Sequence, residues 1–554
     1  MKNTDRQFQE EQLSRRRGAW LLLLVLLLVA IPAVGVLFPR RVTSADAPAD
    51  QFSGERAMSH LAMIASVPHP QGSPAQARVR EYLAGQLTGM GLEVEIQQAR
   101  GVENVVAQLP GSNPSGTILI LSHYDSANRS PGAGDNGSGV CALLEVLRAL
   151  VDGPAPRNNI LALFDDGEEL PDPFSGAKAF VTKSPWMPDV RVAISLDTAV
   201  AGTISINESG PENGWLMAAL DRSFTGGAWT SMSGGGNYDS TPFRNAGILI
   251  LALESNYPFW QKHTSKDLPE IVRPASVQQM GEQTLAIARE LGELDLKDPR
   301  GKQETFFSLP LLGFAHYPES WAAWLAIYAG ILFAVALILA FRAHWVSLKG
   351  LSISLGSILA TAALSAIGTG SVWPHLPELT GWETSRWPDW PEVIPPYGGV
   401  IDMVFALLIF GLAVVGYVFA RRWSTRVDYA LAGLAPFLLV AVATGFAFPR
   451  GAYIFTWPVM ISSLGWIVGF FARRKSKRWS VDLALTGAAT MMIVFILPFL
   501  PGIVMADGMK SLAILAGVEA LILGVILPVA DSLLVRQFAQ PLPGEGNSTL
   551  PSLG

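Results

Sequence analysis

From Trp321 to about residue 530 the chain is a succession of long apolar runs, several of them joined by basic connections, a texture that suits a lipid bilayer. About 20 apolar residues match the hydrocarbon thickness of a bilayer as a helix, which satisfies its own backbone polar groups. Seven spans are expected, at about 321–341, 351–372, 400–420, 427–448, 451–472, 481–500 and 511–530. A further uncharged run lies at 18–38, directly after Arg15, Arg16 and Arg17. It exceeds the roughly 7–15 residues of a signal-peptide core and is read as an uncleaved anchor. The competing reading is a cleaved signal, because Ser44-Ala45-Asp46-Ala47 offers small residues. The composition agrees with a bilayer environment: 50% of residues are apolar and 16% charged, against roughly 25% charged in soluble proteins.

The basic residues orient the spans. Arg342 and Lys349, Arg421, Arg422 and Arg426, and Arg473, Arg474, Lys475, Lys477 and Arg478 fall in one set of connections. The other set holds only Arg386, Arg450 and Lys510. Positive connections stay in the cytoplasm. Residues 1–17 and the Pro/Gly/Ser-rich tail 531–554, expected to be disordered, are therefore placed inside. Residues 42–318 and the loop 373–399 are placed outside. Two inner hairpins look alike, Phe419-Ala420-Arg421-Arg422 before Val427-Asp428 and Phe471-Ala472-Arg473-Arg474 before Val481-Asp482, by duplication or by charge bias alone. The net charge of −6 and the lack of a basic face argue against a nucleic-acid partner.

Residues 42–318 read differently, with short apolar runs alternating with amphipathic ones. Strands are expected at 94–98, 105–109, 117–122, 160–164, 190–196 and 248–253, and helices near 75–90, 138–151, 176–182, 212–224 and 275–294. This alternation predicts an α/β three-layer sandwich with a mostly parallel sheet, joined to an α-helical transmembrane domain at 321–530. In such sheets the polar groups that do chemistry collect beyond the carboxyl ends of the strands.

Five segments fit that place. Ser122-His123-Tyr124-Asp125 puts His123 and Asp125 on one side of an extended backbone, where Asp125 could orient the imidazole. Gly132-Ala133-Gly134-Asp135-Asn136-Gly137-Ser138-Gly139 runs straight into an apolar helix; taken alone, Asp135 or Ser138 reads as a helix cap. Phe164-Asp165-Asp166-Gly167-Glu168-Glu169 packs four carboxylates behind a buried strand. They repel unless solvated or bound to cations, and the adjacent Glu168 and Glu169 point apart, so that one could hold a metal while the other faces a water. Leu196-Asp197 ends another apolar strand, and Trp260-Gln261-Lys262-His263-Thr264-Ser265-Lys266-Asp267 follows Asn237-Tyr238-Asp239-Ser240. Each alone reads equally as a turn or solvated loop. Together they offer imidazoles and carboxylates without thiols. The single cysteine, Cys141, allows no intramolecular disulfide and no thiolate metal site.

The order and spacing of these segments resemble metallopeptidase family 28, the aminopeptidase Y group of zinc exopeptidases, over about residues 58–295 and starting from Pro68-His69-Pro70-Gln71-Gly72-Ser73-Pro74. The layout resembles the membrane-bound branch of endoplasmic-reticulum metallopeptidase and vacuolar membrane protease. The resemblance implies two Zn²⁺ per chain, one held by His123 and Asp197 and one by Glu169 and His263, with Asp135 bridging. It implies Glu168 as general base, Asp125 orienting His123, and Asp239 in support. The substrate would be a peptide, cut outside the cytoplasm, at a bacterial inner membrane first or a eukaryotic secretory membrane second. Lys262 departs from the family, in which many members carry a Tyr before the last metal-binding His.

Two further readings stand beside this one. A glutaminyl-cyclase-like aminoacyltransferase would use a single zinc, and a receptor or transporter would use the domain only to bind. Glu519, inside the last apolar run, is the acid that a transport reading would invoke, but structural pairing is placed ahead of transport for it. His316, His344 and His375 are not expected to be ligands. The oligomeric state is left open.

Overall fold

The computed structural model describes residues 41–99, 101–169, 173–226, 238–255, 261–309, 313–375, 398–474, 480–496 and 512–531, with Trp20, Leu23, Leu24 and 26–28 ahead of them. The expected cytoplasmic segments 1–17 and 532–554, most of the 18–38 run and most of the 373–399 loop lie outside the described residues. The chain divides into two units, Val34–Trp321 and a second comprising Met1–Ala33 with Ala322–Gly554.

In the first unit, seven strands form one sheet: β1 (Glu93–Ala99), β2 (Val102–Leu109), β3 (Thr117–His123), β4 (Asn159–Asp165), β5 (Val190–Leu196), β6 (Ile204–Glu208) and β7 (Leu249–Ser255). Their order is β1-β2-β4-β3-β5-β7-β6. The central β4-β3-β5-β7 are parallel, and β1, β2 and β6 join antiparallel. The sheet is therefore mixed, with its parallel character confined to the middle. Two residues separate β1 from β2, too few for the crossover that parallel neighbours need.

Seven helices flank the sheet: α1 (Gly54–Ile64), α2 (Pro74–Gly89), α3 (Ser138–Val151), α4 (Ser175–Lys183), α5 (Gly214–Ser223), α6 (Thr241–Asn245) and α7 (Pro274–Glu293). Side chains alternate across each strand, so Ile118, Ile120, Ile160 and Ile194 pack with Leu61, Leu83, Leu144, Leu216 and Ile287 on one face. Leu119, Leu121, Leu161 and Leu163 pack with Phe180 and Phe243 on the other. Buried runs with apolar residues on both faces are what a covered parallel sheet requires. A hairpin, β8 (Glu304–Leu309) with β9 (Gly313–Pro318), follows.

The stretch just before α1 is stapled to this unit by arginines. Arg56 donates to the carbonyls of Ala45 (2.6 Å), Ala47 (2.9 Å), Pro48 (3.4 Å) and Gln51 (2.7 Å). Arg148 donates to Ala49 (2.5 Å) and Gln51 (2.9 Å), and Arg289 to Asp50 (2.6 Å). Arg56 and Arg148 also share the buried carboxylate of Glu145, at 2.8 and 2.7 Å.

The second unit contains α8 (Ala322–Arg342), α9 (Leu348–Val372), α10 (Gly398–Ala420), α11 (Arg426–Ala447), α12 (Tyr453–Arg474), α13 (Ser480–Ile496) and α14 (Leu512–Ile526). Six stretches among the described residues are long and apolar enough to cross a membrane: Glu319–Arg342, Leu348–His375, Met403–Ala420, Arg426–Ala447, Tyr453–Ala472 and Leu512–Ala530. The run expected at 481–500 is described as the 17-residue α13; residues 497–500 lie outside the described residues. Outward apolar residues such as Trp324, Ile331, Leu364 and Leu439 suit a lipid-facing surface. Several charged side chains are paired near the ends of the helices. Asp428 accepts from Ser347 N (2.9 Å), Thr425 N (2.7 Å) and Thr425 Oγ1 (2.9 Å). Asp531 takes Tyr417 Oη (2.6 Å) and Arg421 Nε (2.7 Å), and Arg426 pairs with Asp482 at 2.7 Å, linking the two look-alike hairpins. Glu519 is half-buried on α14.

Candidate metal centre

Parallel alignment brings the carboxyl ends of β4, β3, β5 and β7 to one edge of the sheet. His123 closes β3 opposite Asp165 at the end of β4, and Asp197 follows Leu196, the last residue of β5. The β3–α3 connection delivers Asp135, and the segment after β7 returns His263 to the same edge. The Gly-rich loop is shaped by packing. Asn136 Nδ2 donates to Ser122 Oγ (3.0 Å) and Leu196 O (2.8 Å), which ties the loop to β3 and β5. A Cβ on Gly139 would strike Asn136 Oδ1 and come within 2.8 Å of Leu196 O and Ser122 Oγ, so only glycine allows this approach. The Asp135–Asn136 peptide is cis.

His123, Asp135 and Asp197 bring donor atoms within 4.8 Å of one another, as do Asp135, Glu169 and His263, and His123, Glu168 and Glu169. Asp135 stands between the two imidazoles: His123 Nε2 is 3.4 Å from Oδ1, and His263 Nε2 is 3.1 Å from Oδ2. His263 Nε2 is also 3.0 Å from Glu169 Oε1. Lys262 places Nζ 3.1 Å from Asp135 Oδ2. The backbone at His263 is left-handed, with φ of +59°, a conformation costing about 1 kcal/mol or more outside glycine and concentrated at functional positions.

The other expected positions are close by. His123 Nδ1 lies 3.2 Å from the Asp125 carbonyl and 3.5 Å from its carboxylate. That carboxylate accepts instead from the backbone N–H groups of Glu168 and Glu169, both at 3.2 Å, and so holds the acidic turn against β3. Gly167, at φ +76°, folds this turn back, and Glu168 and Glu169, expected to diverge, both reach the neighbourhood of His123. Asp239 is buried beside Asp165 rather than among the clustered donors.

The charges explain one another. Burial raises Glu168 to about 8 and Glu169 to about 7, reinforced by neighbouring carboxylates. Burial alone would depress both imidazoles; the carboxylates beside them overcome it, holding His263 at about 9 and His123 well above its ordinary value. Burial also works against ionising Asp135, yet Lys262 and the two imidazoles keep it well below the carboxylate range. Protons thus neutralise a cluster that a multivalent cation would neutralise better. Both oxygens of Asp135 and Oε1 of Glu169 are buried and accept from no backbone N–H; imidazoles and the Lys262 ammonium stand against them instead. Imidazole and carboxylate donors without thiolate suit zinc. The residues fit divalent metal.

Asp267 ends the segment that carries Lys262 and His263. It is buried and accepts from Gly134 N (2.6 Å) and Asp135 N (3.2 Å), so it carries the loop that presents Asp135. Burial raises it to about 7. Its partners lie 133 and 132 residues away, a distance no local pattern reveals.

Residues 104–288 match the family model for Peptidase family M28. Endoplasmic reticulum metallopeptidase 1 of Mus musculus is 30% identical over 209 residues, 35% of this chain and 23% of that protein. The Vacuolar membrane protease of Candida dubliniensis is 26% identical over 279 residues, 46% of this chain and 30% of that protein. The match thus spans less than a third of either relative's length. Among solved structures, the LapA aminopeptidase of Legionella pneumophila superposes with a TM-score of 0.40 at 16% identity, over 44% of this chain and 73% of that one. Residues 104–288 thus form a peptidase family M28 domain in a multi-pass membrane protein, with six apolar stretches of spanning length among the described residues.

Proposed function

We propose that the protein is a two-zinc exopeptidase, most simply an aminopeptidase, whose catalytic domain works outside the cytoplasm. The supporting observation is the convergence of His123, Glu169, Asp197 and His263, from the ends of four strands, on the buried carboxylate of Asp135. In this reading His123 and Asp197 hold one ion, Glu169 and His263 the other, and Asp135 both. Such a pair supplies Lewis acidity and acidifies a water toward neutral pH. Glu168, set next to these groups, takes a proton from the attacking water and returns it to the departing amine. Asp125 keeps the ring of His123 and the Glu168–Glu169 backbone in register, Asp267 keeps the Asp135 loop in place, and Asp239 supports the acidic turn from below through Asp165. The bias of basic residues toward one set of connections supports an extracytoplasmic site, at a bacterial inner membrane or, second, a secretory-pathway membrane.

The test is Glu168→Gln. The variant keeps its zinc content and loses hydrolysis of aminoacyl substrates by about 10²- to 10⁴-fold. Chelation silences the parent enzyme. Undiminished turnover in the variant would remove Glu168 from the chemistry.

A further inference from the structure

The two donor sets are chemically matched. Each combines one imidazole, one carboxylate of its own and a share of Asp135: His123 with Asp197, and His263 with Glu169. Ligand type and formal charge therefore give no reason for the two positions to differ in affinity. One neighbour breaks the match. Lys262 Nζ lies 3.1 Å from Asp135 Oδ2, the same oxygen that His263 Nε2 approaches at 3.1 Å. The other oxygen, Oδ1, faces His123. Lys262 and His263 are consecutive, and the left-handed backbone at His263 accompanies the arrival of both side chains at one atom. Asp197, Glu168 and Glu254 also place negative charge near the ammonium.

We infer that Lys262 is a built-in cation that makes the metal positions unequal. The His123–Asp135–Asp197 position fills first, and the Asp135–Glu169–His263 position is weak because its share of Asp135 is already engaged by an ammonium. The ammonium and the imidazole already stand against Oδ2, each at 3.1 Å. A dication seated there meets a unit positive charge within a few ångströms, in a partly desolvated site where like charges repel most. Lys262 must swing aside, toward Asp197, Glu168 or Glu254, each time that position fills. This rests on the two-metal reading above and adds an order of filling to it. At substoichiometric metal the protein holds a single ion on the His123 side.

The experiment is zinc titration of the full-length protein in detergent after removal of metal, in competition with a chromophoric chelator. Wild type is expected to take up two equivalents, the second bound at least about tenfold more weakly. Lys262→Met should tighten the second equivalent by about tenfold or more and leave the first unchanged, whereas Lys262→Arg keeps the gap. His263→Ala should remove the weak equivalent and spare the tight one, which identifies the positions even if the methionine variant does not fold. Two equivalents of equal affinity in wild type, a gap unaltered by Lys262→Met, or loss of the tight equivalent in His263→Ala would overturn the inference while leaving the peptidase reading intact. Absence of any bound zinc would remove both.

Discussion

Asp135 and Asp428 are buried to the same degree, each about 1% exposed, and meet that burial in opposite ways. Asp428, at the start of α11, is surrounded by donors: two backbone N–H groups and the Thr425 hydroxyl close a capping box and hold the α8–α9 turn. A Cβ on Gly350 would collide with its carboxylate, so the neighbouring backbone is as tightly fitted. Asp135 accepts from no backbone N–H; the groups against its oxygens are the cationic side chain of Lys262 and the imidazoles of His123 and His263. Burying a carboxylate costs free energy in both places. In the membrane unit the chain's own amides offset that cost, and the carboxylate is architecture. In the peptidase unit it is left to side chains, and the carboxylate is a candidate ligand. Burial does not distinguish the two; their partners do.

The strongest way to break this contrast is Asp135→Ala. It should abolish both zinc equivalents and reduce hydrolysis by about 10⁴-fold or more, while the metal-free protein melts lower than its parent, because Lys262 and the two imidazoles lose the carboxylate beside them. Metal analysis beside a thermal melt reads both halves; an active variant would end the role of Asp135 as shared ligand. Asp428→Ala should affect stability alone. It strands the Ser347 and Thr425 N–H groups and lowers unfolding stability by about 1–3 kcal/mol, with unchanged specific activity in the folded fraction. A stable but inactive Asp428 variant would contradict the division.

Acidity sharpens the comparison next. A proton on an imidazole or carboxylate competes with metal. In the metal-free protein His263 loses its proton only near pH 9 and Glu169 near 7, so zinc affinity should fall as the pH drops from 9, and more steeply below 7. Each proton displaced contributes about tenfold per pH unit, readable by chelator competition across pH 6–9. A flat profile would mean that these groups are not ligands. The smallest effect is expected from Asp267→Asn, whose single carbonyl oxygen cannot serve both Gly134 and Asp135 N–H. Zinc should bind about tenfold more weakly. The deficit should shrink below pH about 7, where wild-type Asp267 itself carries a proton. A deficit that grows on acidification would argue against this role.

Much of the sheet was legible because β1 to β5 and β7 are apolar or alternating runs bounded by polar turns. β6 was not: Ile204–Glu208 is five residues long and becomes a strand by pairing with β7. The helix α1 was also missed, although Ser53 caps it through Arg56 N, because it precedes the first recognisable motif. The β8–β9 hairpin resembles a loop in sequence, and its packing depends on Phe306 and Phe307 finding partners already in place. In the site, the motif residues could be read because each terminates or follows a strand. Asp267 could not, since its effect is exerted on backbone N–H groups more than a hundred residues away. Lys262 stood out only as a departure from the family, and its contact with Asp135 is a product of the fold.

The arginine staple before α1 changes how the stretch around Ser44–Ala47 is viewed. Those small residues look like a cutting place in the sequence, and several of them are solvent-exposed. Yet the carbonyls of Ala45, Ala47, Pro48, Ala49, Asp50 and Gln51 are all held by guanidinium groups rooted in three different helices. A processing enzyme must draw its target into an extended form, which here means undoing those bonds first. Exposed but not loose, the stretch resists being trimmed for as long as the domain beneath it stays folded.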